Sequence, residues 1–108
     1  MNTNKKDALS VLEKSTDGPL TLAQYLKALR ESGNQSQSEF AITLGISKSH
    51  LCDIEKERKA ISLERAIRFA EILRLSRDQF VRLALQSQIK ELGLSYRVSL
   101  QKFGSKSK

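Results

Sequence analysis

Five times between Leu20 and Phe80 the sequence sets a hydroxyl residue directly before an apolar run of helical spacing, and this series constrains the fold more than any other feature. Thr21-Leu22-Ala23-Gln24 puts a capping Thr three residues before a Gln, with Leu20 ahead of the cap and Tyr25 behind it. That is the pattern of a capping box with a hydrophobic staple, in which side chains satisfy the unpaired first N–H groups of a helix. Ser36-Gln37-Ser38-Glu39 repeats it. Ser47 caps a third helix with Ile46 and Leu51 as staple, Ser62 a fourth after Ile61, and Ser76 a fifth with Leu75 and Phe80. Behind the caps, apolar residues recur three and four apart: Leu22, Leu26 and Leu29; Phe40, Ala41 and Leu44; Leu51 and Ile54; Ala66, Phe69, Ala70 and Leu73; Phe80, Leu83 and Ala84. Such stripes bury one side of a helix. Gly33, Gly45 and Gly93 fall where a left-handed terminating residue is wanted. The pattern predicts one compact all-α domain of five short helices over residues 20–92.

The flanks read differently. Residues 1–19 hold a weak helical pattern (Ala8, Leu9, Val11, Leu12) and the turn Asp17-Gly18-Pro19, and are read as an N-terminal arm. After Gly93 the spacing changes to strict alternation, with Leu94, Tyr96, Val98 and Leu100 between Ser95, Arg97, Ser99 and Gln101. Alternation predicts a half-buried β-strand. The expected fold class is therefore all-α, a five-helix domain with a C-terminal β-strand extension and basic tail over residues 93–108. A lone strand leaves its backbone groups unpaired. Tyr96, Val98 and Leu100 are thus the expected dimer or partner interface, formed with the same strand of a second subunit or with another protein's sheet edge. The alternative is an extended tail lying on its own domain.

Composition excludes several classes of function. A chain of 108 residues is one domain with tails. No apolar run approaches the roughly 20 residues that span a bilayer, and the N-terminus lacks the apolar core of a signal peptide, so no membrane association is expected. The lone Cys52 excludes an intrachain disulfide framework and fits a reducing cytoplasm. Only His50 and Cys52 offer soft ligation, so no metal or other cofactor is expected. No Gly-rich phosphate loop or nucleophile–base pair is visible, so no catalytic residue is assigned and the chain is not expected to be an enzyme. The net charge of +7 suggests a polyanionic partner. More than half of that excess lies in residues 87–108, where Lys90, Arg97, Lys102, Lys106 and Lys108 stand against Glu91.

The segment from Ser36 to Glu57 carries the function. It reads as a helix over Gln37–Leu44, a tight turn Gly45-Ile46-Ser47, and a helix over Lys48–Lys56. Ala41, four residues before Gly45, is small enough to let the second helix cross close to the first. Gly45 permits the left-handed turn, and Ile46 plugs the angle. These features make a helix-turn-helix, whose second helix lies in the DNA major groove. Leu51 and Ile54 define its buried direction, so Ser49, Cys52, Asp53 and Lys56 point away, with Lys48 flanking them. Lys48 can donate to guanine, Ser49 can donate or accept, Asp53 can accept from cytosine N4, and Cys52 can touch a thymine methyl. Lys56, Arg58 and Lys59 suit backbone phosphates, and His50 reaches one from the side of the helix. Gln37, with the free N–H groups of the first motif helix, makes a second anion site. Ser47, at the start of the second helix, completes the candidate DNA-binding set.

Residues 22–81 resemble the phage-repressor and Cro-type helix-turn-helix proteins, the XRE family. Ser36-Gln37, Phe40-Ala41, Leu44-Gly45-Ile46-Ser47, Leu51, Ile54-Glu55 and Ser62-Leu63-Glu64 carry the resemblance. It implies sequence-specific binding of double-stranded DNA at a palindromic operator by a homodimer, in transcriptional regulation and as a repressor. By the same resemblance Gln37 anchors a phosphate, Lys48, Ser49 and Asp53 read bases, and Glu55 pairs with Arg30. Small proteins of this kind also act as antitoxins, which gives the alternative: toxin binding through the C-terminal segment, with autoregulation of the operon. The expected location is the cytoplasm, at the nucleoid. Two departures stand out. Glu57 occupies a position where the family commonly has Gly, and Ile61 one where it has Pro, which predicts a shifted or longer-wound connection after the second motif helix.

Overall fold

The computed structural model describes residues 19–103. The expected N-terminal arm, apart from Pro19, and the last five residues of the basic tail lie outside this range. Five helices are present among the described residues: α1 (Leu22–Ser32), α2 (Gln37–Leu44), α3 (Lys48–Glu55), α4 (Leu63–Leu73) and α5 (Arg77–Glu91). Each starts where its cap predicts. The side-chain oxygens of Thr21, Ser36, Ser47, Ser62 and Ser76 accept from the backbone N–H three residues on. At α1 and α2 the bond is returned, since Gln24 and Glu39 each accept from the cap's own N–H at 2.9 Å. Each such cap stabilises its helix by about 1 kcal/mol.

The helix ends obey one rule that glycine content only half reveals. All five close with a pair of backbone bonds around a left-handed residue: Asn34, Gly45, Glu57, Arg74 and Gly93. After α3, for example, Arg58 N–H donates to Asp53 O at 2.8 Å and Glu57 N–H to Ile54 O at 2.9 Å. This is the Schellman arrangement, which satisfies the last carbonyls of a helix. Gly33, expected to be left-handed, has φ −90°, and Asn34 takes that conformation at φ 56° instead. After α3, where the family commonly has Gly, Glu57 itself adopts the glycine-like conformation at φ 58°.

A β-carbon makes that conformation costly by roughly 1–2 kcal/mol, part of which a glycine returns through its greater freedom in the unfolded chain. Glu57→Gly is therefore expected to raise stability by about 0.5–1 kcal/mol, a Tm increase of about 3–6 °C for a domain of this size. The exposed Lys90–Glu57 contact that it removes, at 4.0 Å, offsets little of this. Thermal unfolding followed by circular dichroism checks it; an unchanged or lower Tm would refute strain at Glu57.

The apolar stripes meet in one core. Leu20, Leu22, Tyr25, Leu26, Phe40, Leu44, Leu51, Ile54, Phe69, Phe80 and Leu83 are all buried in it. Tyr25 and Phe80 meet edge to face at 5.7 Å, joining the start of α1 to α5. α4 packs along α5, α2 against α3, and α1 lies across both α3 and α5. Ser87, on α5, fixes the start of α1 by accepting from Leu22 N–H at 3.2 Å.

The expected C-terminal strand is not formed. Residues 94–103 run as an extended, unladdered segment back along α5. One side chain of α5 bonds two of its backbone groups. The buried Gln86 donates through Nε2 to Tyr96 O at 2.8 Å and accepts through Oε1 from Val98 N–H at 2.7 Å. Leu94 N–H donates to Ile89 O at 3.2 Å, and Lys102 approaches Asp78 at 3.6 Å. A carboxamide presents a donor and an acceptor side by side, as a neighbouring strand does, so the alternating sequence stays extended without a sheet. Leu94, Tyr96 and Leu100 remain substantially exposed, and Val98 is half-buried.

Candidate nucleic-acid interface

The α2–turn–α3 unit is built from the backbone outward. Gly45 turns the chain at φ 75°, and Ile46 N–H returns to Ala41 O at 3.0 Å. Ala41 is buried and Ile46 packs against the core, so α3 leaves the turn resting on Leu51 and Ile54, neither of which touches solvent.

Behind α3 a carboxylate ties three helices together. Glu55 Oε2 accepts from Arg30 Nε at 2.7 Å, and Oε1 accepts from both Arg30 Nη2 and Gln37 Nε2 at 3.0 Å. Arg30 also donates to Gln35 O at 3.1 Å, spanning the loop between α1 and α2. The Glu55 side chain is only 4% exposed and that of Arg30 14%. Burial alone pushes the Glu55 carboxyl up; the hydrogen bonds from Arg30 and Gln37, with the charges of Arg30 and Lys27, outweigh it and hold the group below its ordinary range. The pairing of Arg30 with Glu55 is the one implied by the family resemblance. Gln37, expected at a phosphate, is held by Glu55 through one N–H of its amide. The other has no partner among the described residues.

The opposite side of α3 is open. Ser47, Lys48 and Ser49 are exposed at its start, and His50, Cys52 and Asp53 are half-buried along it. Lys56, Arg58 and Lys59 are exposed beyond its end. Lys48, Lys56 and Lys59 have no carboxylate within ion-pair distance among the described residues. Arg58 differs: its Nη1 lies 3.6 Å from Asp53 Oδ1. Burial lowers the His50 pKa, and the charges of Arg65 and Lys59 lower it further against the opposing pull of Asp53, which favours the neutral imidazole.

Arg65 and Arg68 were not singled out in the sequence. With Ser62 and Glu64 they line a shallow cleft of about 170 Å³ at the start of α4, and Arg65 lies close enough to His50 to act on its charge. Their spacing of three along a capped helix was the available signal, since it puts both on one side.

A straight helix with a dry stripe on one side and donors and acceptors on the other can enter a groove about 12 Å wide and exchange hydrogen bonds with base edges. A family model described as helix-turn-helix matches residues 26–80, from within α1 to the first turn of α5. No curated protein and no solved structure matches the chain.

Proposed function

This chain belongs to the XRE-type helix-turn-helix family of DNA-binding transcription regulators, and from that premise we propose that it represses transcription by binding a palindromic operator as a homodimer with α3 in the major groove. The observation that carries this is the division of α3 into a buried stripe, Leu51 and Ile54, and an open polar side from Lys48 to Asp53. Lys48 and Ser49 lie in the first turn, where recognition helices reach base edges. Cys52 and Ser47 flank them, and His50 offers a hydrogen bond to the backbone. Gln37 anchors a phosphate with its unpaired amide N–H. Lys56, Lys59, Arg65 and Arg68 meet the phosphates on either side.

Operator symmetry requires two recognition helices about 34 Å apart. We assign the spacing to an interface made by α5 and the Tyr96–Leu100 segment, whose apolar side chains are partly exposed. Selection of preferred sites from random duplexes by the purified protein tests the reading; a monomer at micromolar concentration that enriches no inverted repeat would defeat it. Lys48→Ala is expected to relax base preference at one position per half-site, and Lys56→Ala to weaken binding to all sequences alike with a shallower salt dependence. Equal effects of both variants on every duplex would undo this division of roles.

One observation favours a second reading, an antitoxin. The backbone of Ser95, Arg97 and Ser99 has no hydrogen-bond partner among the described residues. Such an open edge suits addition to a partner's sheet. In that case truncation before Leu94 abolishes toxin binding and leaves DNA affinity.

A further inference from the structure

The geometry points to Asp53 and Arg58 acting as one reading unit for a G·C base pair, the guanidinium donating to guanine and the carboxylate both holding the guanidinium and accepting from the paired cytosine. This rests on the placement of α3 in the major groove proposed above, and it gives Arg58 a different task from the neighbouring lysines.

The two residues are joined twice. Arg58 N–H donates to Asp53 O at 2.8 Å, and Arg58 Nη1 lies 3.6 Å from Asp53 Oδ1. The first bond exists because Glu57 turns left-handed and folds the chain back over the end of α3. Residues five apart do not meet on a continuing helix, so the turn delivers Arg58 to the side from which Asp53 projects. Both side chains stay accessible, 64% exposed for Arg58 and 27% for Asp53.

Charge decides between the two tasks open to Arg58. Were it to leave for a phosphate, Asp53 would face the duplex as an uncompensated negative charge. Kept beside Asp53, it neutralises that charge and still has N–H groups to spare, because a guanidinium carries five donors in a fixed fork. In the major groove a G·C pair shows two acceptors, N7 and O6, followed by the N4 donor of cytosine. The Arg58–Asp53 pair offers donor, donor, acceptor in the same order. An A·T pair interrupts that order with the N6 donor of adenine, which would meet the guanidinium. An exposed ion pair contributes little to folding, so either residue can be replaced with the domain intact.

The test is site selection from random duplexes, with affinity titrations on single-base variants of the selected site, for the full chain and for Asp53→Ala, Arg58→Ala, Arg58→Lys and the double alanine variant. Melting temperatures serve as the folding control. The wild type is expected to fix one G·C pair per half-site. Both alanine variants should lose about tenfold or more of the discrimination at that same position, in line with loss of one bidentate base contact. The double variant should lose no more than either alone. Arg58→Lys, which keeps the charge but not the fork, should not restore the preference. Three results would overturn the assignment: Arg58→Ala weakening all sequences alike with a shallower salt slope, Asp53→Ala and Arg58→Ala acting at different positions, or both keeping the wild-type preference. A wild-type protein that enriches no sequence would instead remove the DNA-reading placement of α3, and the pair with it.

Discussion

Glu55→Ala is expected to cost about 3 kcal/mol of stability, because removing one partner of a buried pair leaves the other charge unmatched. For a domain of this size that is a fall in Tm of roughly 10–20 °C. The variant leaves the Arg30 guanidinium, 14% exposed, without its two bonds to the carboxylate, and frees Gln37 as well. Arg30→Ala should also lower the Tm, since it strands the Glu55 carboxylate in the same place. The pH dependence gives the effect a signature. The folded-state pKa of Glu55 lies below its ordinary value of 4.5, so its contribution is complete above that value and is lost as pH falls through the folded pKa. The Tm gap between wild type and Glu55→Ala should therefore be full at pH 7 and shrink below about pH 4.5. Thermal melts at a series of pH values decide the matter. A gap of only a few degrees, or one that persists unchanged into acid, would mean that the carboxylate is not what holds α1, α2 and α3 together.

DNA affinity is expected to fall about a thousandfold or more between 50 and 200 mM salt, as for proteins that neutralise 6–10 phosphates. Lys56, Lys59, Arg65 and Arg68 have no ion-pair partner among the described residues, and on the two protomers of the proposed dimer they would supply about eight such contacts. Each releases condensed counterions on binding, which is why the loss follows the logarithm of salt concentration. The cations already matched by carboxylates, Arg30 with Glu55 and Lys90 with Glu57, should add nothing to the slope. Affinities measured by fluorescence anisotropy across a salt series give the count directly. A slope near zero would mean that these four side chains do not meet the backbone.

How much of this was legible in the sequence depends on whether the responsible chemistry is local. The five helix starts were, because a cap and the N–H it satisfies lie three residues apart. The helix-turn-helix was legible because Ala41, Gly45 and Ile46 each do a job that few other residues can do. The helix ends were legible only at Gly45 and Gly93. At Glu57 and Arg74 residues with long side chains take the left-handed conformation, and nothing in their own chemistry announces it; Asn34 takes it as well, being of the type that tolerates it best after glycine. The alternation after Gly93 did specify an extended chain, but not its partner. That partner is Gln86, a side chain on α5 ten and twelve residues away from the groups it bonds. The Asp53–Arg58 contact was hidden for a related reason, since it depends on the backbone reversing between the two.

The grip of Gln86 also settles a matter of parity. By bonding Tyr96 and Val98 rather than their neighbours, it commits the even-numbered backbone groups of the tail inward and leaves the odd-numbered ones, Ser95, Arg97 and Ser99, facing out. Any strand laid alongside inherits that frame before contact is made. A slip by a single residue would cost both bonds to the carboxamide, whereas a slip by two keeps every group facing the same way. One amide on a helix thus does for this segment what a whole neighbouring strand does in a sheet: it decides which half of the backbone is offered to the outside.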